Sequence, residues 1–210
     1  MARRADDLET PDPRSMLAVA DEQARHARTE LHPRTELMYL AWGVAWLAGF
    51  GAFAAAERTD PMVSRSIAGL TLGVLCAAAA TVTILVVRRA AAGVQGTSSR
   101  LGILYGGSWL LGFGAMAAIM GGLDHSGLPE RALDLLSVVL PCLIVGLLYM
   151  GGGAIWQQPT QFALGGWLAV TGAAVAWAGL PEAYLVAALA GGGGLLVGAL
   201  VEMLQEGTRG

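Results

Sequence analysis

Long apolar runs separated by short polar breaks dominate the chain, and the runs have the length of bilayer spans. Six stretches, 37–56, 67–87, 101–123, 132–154, 162–179 and 183–204, come close to or exceed the roughly 20 apolar residues that cross about 30 Å of hydrocarbon. None alternates apolar and polar residues as a strand does. A backbone in hydrocarbon must pair its polar groups inside a helix or a closed barrel. The predicted fold is therefore all-α: a polytopic transmembrane helix bundle of about six spans. The fifth and sixth runs nearly fuse, but Gly179, Leu180, Pro181 and Glu182 supply a break and a charge, which predicts a tight helical hairpin.

The first and third runs share a local pattern. Trp46-Leu47-Ala48-Gly49-Phe50-Gly51-Ala52 aligns with Trp109-Leu110-Leu111-Gly112-Phe113-Gly114-Ala115, and Gly43 falls on Gly106. Trp167-Leu168 with Gly172-Ala173 is a fainter third copy. The pattern suggests a helical hairpin used three times in one orientation, as in transporters with parallel repeats. The alternative is convergence, since small membrane helices draw on the same Trp, Gly and Ala.

Outside the spans, residues 1–36 form a polar segment and 205–210 a short tail. Asp12 and Pro13 make a helix-start signature, and Leu17, Ala20, Ala24, Ala27 and Leu31 then share a face until Pro33. This predicts a short amphipathic helix at about 13–31, solvated, lying on the membrane or docking on a partner. The first long apolar run begins only at Leu37, after that polar segment, so a cleaved signal peptide is not expected.

Arginine placement orients the spans. Arg3, Arg4, Arg14, Arg25, Arg28, Arg34, Arg88, Arg89, Arg100 and Arg209 fall on one side, and Arg58, Arg65 and Arg131 on the other. The rule that cytoplasmic loops are rich in Arg and Lys puts both termini in the cytoplasm. Every basic residue is Arg, and neither Lys nor Asn occurs. With abundant Ala and Gly, this is the codon bias of a GC-rich bacterium, so the expected location is the bacterial plasma membrane.

Charged residues make up 14% of the 210, against about 25% in soluble domains, and the net charge is −3. No basic stripe with interleaved aromatics supports nucleic-acid binding. Cys76 and Cys142 both lie in apolar runs without further ligands nearby, which favours inert buried thiols over a disulfide or zinc. No P-loop, nucleophile elbow, metal-binding helix or cofactor motif is present. The chain is accordingly not expected to be an enzyme or to carry a metal or cofactor.

The remaining candidates are small residues and a few polar ones. Gly69 and Gly73, Gly102 and Gly106, Gly114 and Gly122, and Gly198 belong to four-residue rows that let helices pack closely, within the chain or between subunits. Gly191, Gly192, Gly193 and Gly194 run consecutively where each Gly costs about 1 kcal/mol relative to Ala. That run predicts either a broken helix lining a solute path or a tight helix crossing. Pro141 and Ser137 in the fourth run, with Ser108, Thr71, Thr81, Thr83 and Thr171, are the other candidates for a path, although such hydroxyls more often bond back to their own turn. Asp134, Glu182 and Glu202 lie near span ends, where they are expected to reach water, and no acid, His or Arg occupies a span centre.

Trp42 to Phe50, Tyr105 to Phe113 and the Gly-rich sixth run together resemble small uncharacterised six-span membrane proteins of actinobacteria. The resemblance covers most of the chain and implies a plasma-membrane location, but it brings no activity and no site residues. Two functions fit these observations. One is a small transporter or permease-like component for a neutral or apolar solute. The other is a non-transporting membrane scaffold or regulatory subunit, with a homo-oligomer or a membrane partner subunit as its assembly.

Overall fold

The computed structural model describes residues 34–58, 61, 63–91 and 97–207. The helix expected at about 13–31 lies outside them. Among the described residues every regular element is helical: α1 (Thr35–Ala56), α2 (Arg65–Ala91), α3 (Thr97–His125), α4 (Glu130–Trp156), α5 (Pro159–Ala178), α6 (Glu182–Val186), a π-helical segment (Ala187–Gly192) and α7 (Gly193–Gly207). The last three run on as one long sixth helix, so six helices among the described residues are long and apolar enough to cross a membrane.

Local chemistry sets the boundaries. Pro159 opens α5 at a position where its missing N–H costs nothing. Its end is Gly179, whose positive φ of 67° suits a residue without a Cβ and whose N–H bonds back to Val175. α4 stops at Gln157 in a left-handed conformation, and Gln158 N–H then reaches back to Gly153 O at 2.8 Å. Pro141 lies inside α4 without interrupting it.

The helices pack as an antiparallel row in the order α2, α1, sixth helix, α5, α4, α3. The row does not close: no packed seam joins α2 to α3 among the described residues. Its core is the middle, where Tyr39, Trp46 and Phe50 of α1 meet Cys142, Val145 and Tyr149 of α4, Leu168 and Val175 of α5, and Leu195 of α7. The starts of α1, α3 and α5 share one end, here the near end. The loops after α1, α3 and α5 share the other, the far end.

The flanks differ sharply from this middle. α3 touches α4 along a narrow stripe that includes Tyr105, Trp109 and Phe113, while Leu110 is 79% exposed and Leu111 77%. α2 likewise leans on α1 with one stripe and leaves Ile67, Leu70, Val74 and Ile84 exposed.

Candidate functional site

Glycine decides how closely the middle helices approach. At the α4–α5 seam a methyl group on Gly165 would lie 2.5 Å from Met150 N and 2.6 Å from Gly146 O. One on Gly146 would meet Ala169 N at 2.8 Å, and one on Gly153 would meet Phe162 N at 2.5 Å. These are backbone atoms that cannot rotate away, so the seam depends on bare glycine. The rows singled out in the sequence behave differently. Gly198 rests against Leu164 and Tyr39, and Gly69 reaches only Phe53 at 3.8 Å. Gly73, Gly102, Gly106, Gly114 and Gly122 face open space. Packing expected at those five is not made within the described chain, because they sit on the outer faces of α2 and α3.

The four-glycine run stays helical. Gly191 and Gly192 lie at the end of the π-helical segment, and Gly193 and Gly194 begin α7. A methyl on Gly192 would meet Leu47 N at 2.6 Å, one on Gly191 would meet Trp46, and one on Gly194 would strike the Trp167 indole. The run is thus a tight crossing of α1 and α5 rather than an unwound break. The π turn widens the backbone, and Trp167 Nε1 donates to Ala190 O at 2.8 Å there.

The hydroxyls named as candidates for a path bond back to their own helices, the commoner arrangement for Ser and Thr in membrane helices. Thr71, Thr81, Thr83, Ser108 and Thr171 each donate to the carbonyl four residues earlier, and Ser137 donates to Asp134 O at 2.6 Å. Thr83 also accepts from Trp42 Nε1 at 3.0 Å, which ties α2 to α1. Tyr105 performs the matching task for α3, donating to Leu148 O of α4 at 2.8 Å. Cys142 is buried and Cys76 half-buried, both as free thiols.

The far end carries a charged clasp. Arg65 at the start of α2 reaches Asp134 of α4 at 2.6 Å, Glu57 after α1 at 3.4 Å and the Tyr184 hydroxyl at 3.4 Å. Arg131 donates to Leu180 O in the turn after α5 at 2.6 Å. Beneath the clasp Phe53 stacks on Tyr184 with ring centroids 5.1 Å apart. The groups border a shallow polar cavity of about 150 Å³. The clasp joins the loops of all three hairpins, and its exposed ion pairs are each worth at most about 1 kcal/mol.

The near end holds a polar group that span-end reasoning misses. Glu202 was expected to reach water, yet it is only 8% exposed, as is Glu36 in the first turn of α1. The register explains this. Gly43 meets Leu196, Trp46 meets Gly191 and Tyr39 meets Gly198, so the antiparallel pairing of α1 with α7 carries Glu202 to the level of Glu36. A signal existed in the sequence: Glu36, Tyr39, Gly43, Trp46 and Phe50 follow one 3,4 stripe, and Gly191, Leu195, Gly198 and Glu202 another, so each acid continues a buried face. Tyr39, 2% exposed, stands between them with no hydrogen-bond partner for its hydroxyl, and its ring lies 5.7 Å from that of Tyr149. Asp134 and Glu182 differ: the first is in the clasp, the second exposed.

Among the described residues no group of His, Cys, Asp and Glu is placed to hold a metal ion. Comparison with known protein families, curated proteins and solved structures gives no match. The functional reading therefore rests on this geometry.

Proposed function

We propose that the chain is a multi-pass membrane protein of the bacterial plasma membrane that serves as a non-transporting subunit of a membrane assembly. One observation carries the reading: α3, an apolar helix long enough to span a bilayer, touches the other described helices along a single stripe and turns its glycine rows outward. In water each exposed Leu or Ile would forgo about 1.5–3 kcal/mol of burial, so these faces require lipid or protein. Lipid alone gains nothing from glycine, whereas a second helix can settle into the Gly102–Gly106 and Gly114–Gly122 rows. The occupant is a second copy of this chain or another membrane subunit.

Arginine supports an orientation with the near end and both termini in the cytoplasm. Arg88, Arg89 and Arg100 are exposed at the near end with no ion-pair partner among the described residues, while Arg65 and Arg131 at the far end are engaged. Each of the expected hairpins, α1–α2, α3–α4 and α5–sixth helix, is an antiparallel packed pair, which supports a threefold hairpin origin. Transport of a neutral or apolar solute is favoured only by the π-helical turn, since such turns recur at functional sites. It would require the Gly191–Trp46 and Gly192–Leu47 contacts to open.

The test is the mass of the protein extracted into mild detergent and reconstituted in lipid nanodiscs. A discrete species larger than one chain, reduced to the single chain by Gly106→Leu with Gly114→Leu, is the expected result. A lone chain in wild type, or a larger species indifferent to both substitutions, refutes the subunit reading.

A further inference from the structure

We infer that the near end of the bundle is a binding site for a small monovalent cation, with the Glu202 carboxylate and the Tyr39 hydroxyl as its donors. Two independent observations meet at this place. Glu202 is nine-tenths buried and has no ion-pair partner among the described residues. Tyr39 is buried still more completely, and its hydroxyl is left without a hydrogen-bond partner. Removing an unpaired carboxylate from water is costly, and a buried hydroxyl left without a partner adds to that cost. Both costs fall on the same stretch of the α1–α7 contact, and a bound cation would offset both, accepting lone pairs from the carboxylate and the hydroxyl.

The chemistry of the surroundings selects the ligand. The Tyr39 ring lies against Gly198, one helical turn before Glu202, and Glu202, Tyr149 and Tyr105 are its electrostatic neighbours. Glu36 lies opposite Glu202 by register and adds negative potential while keeping contacts of its own. The Tyr39 and Tyr149 rings are tilted by 42° to one another, with Trp109 5.8 Å beyond Tyr149. Carboxylate and phenol oxygens are hard donors, and flanking rings offer their faces to a cation. A divalent metal asks for several carboxylates, and no such group is gathered among the described residues. One carboxylate, one hydroxyl and aromatic faces suit a single positive charge: an alkali ion or a small ammonium group.

The site is independent of the assembly proposed above, and its test reads a single chain. Purified full-length protein in neutral-lipid nanodiscs is unfolded thermally, followed by tryptophan fluorescence, at constant ionic strength in sodium, potassium, ammonium or tetramethylammonium chloride. Bulky N-methylglucamine chloride is the reference. The expected result is a saturable rise of the midpoint by roughly 4 °C with at least one small cation. Glu202→Gln abolishes the rise. Tyr39→Phe, which keeps the ring and therefore the packing, weakens the apparent affinity roughly fivefold. Glu182→Gln, an exposed far-end acid, leaves it unchanged. A midpoint indifferent to the choice of cation overturns the site, as does an equal rise in wild type, Glu202→Gln and Tyr39→Phe.

Discussion

Gly146 and Gly114 are both helical glycines in long apolar runs, and their fates are opposite. Gly146 sits in the α4–α5 seam, where an added methyl would meet the Ala169 backbone, while Gly114 on α3 faces nothing within 4 Å. The seam uses glycine to hold one chain together, and α3 uses none of its glycine rows for that purpose. Small-residue spacing reports that a helix can be approached closely; it does not report by whom. Among the described residues the middle of the row packs within the chain, and the outer faces of the flanks do not.

This contrast can be broken in graded steps. The largest effect is expected for Gly165→Leu, because its side chain would have to enter the Met150 backbone. Overpacking of this kind costs about 1–3 kcal/mol and often more where backbone must move. Size-exclusion of the extracted protein should show aggregate in place of a defined peak. Gly192→Ala at the crossing with Leu47 should cost less but stay destabilising, lowering the thermal midpoint by several degrees. Tyr105→Phe removes the hydroxyl that pins α3 to Leu148 and should cost about 0.5–1.5 kcal/mol, read as a thermal midpoint lower by a few degrees. Arg65→Gln opens the far-end clasp at a cost of about 1 kcal/mol or less. Gly114→Leu should leave the stability within about 0.5 kcal/mol of wild type, as for a surface change, and alter only association.

The long helices and the break between the fifth and sixth were legible in the sequence because apolar length and breakers such as Gly179 and Pro181 act locally. The structure lengthens the third run at its start, with α3 beginning at Thr97 rather than 101. What a helix meets was not legible. Gly191 to Gly194 were ambiguous between a break and a crossing until Trp46, Leu47 and Trp167 were seen against them. Glu202 misled for a different reason. Its depth was judged from the end of an apolar run, whereas α7 continues to Gly207 along an α1 that begins at Thr35, so the acid is covered by a neighbour. Burial at a helix end depends on the partner helix as much as on distance from the terminus.

Orientation offers an independent check on the membrane reading. With Cys76 and Cys142 replaced, Arg131→Cys should react with a membrane-impermeant thiol reagent in intact bacteria, and Arg89→Cys only after lysis.

The most direct test of the central claim is photo-crosslinking in intact membranes from a benzophenone side chain placed at Gly114 on α3. The account predicts one discrete protein adduct of fixed mass, a dimer of this chain or one heavier heterodimer, with yield falling sharply when the probe moves to Leu143 on α4. Adducts with lipid alone at Gly114, equal in yield to those at Leu143, would contradict it and leave α3 as a helix that faces only the bilayer.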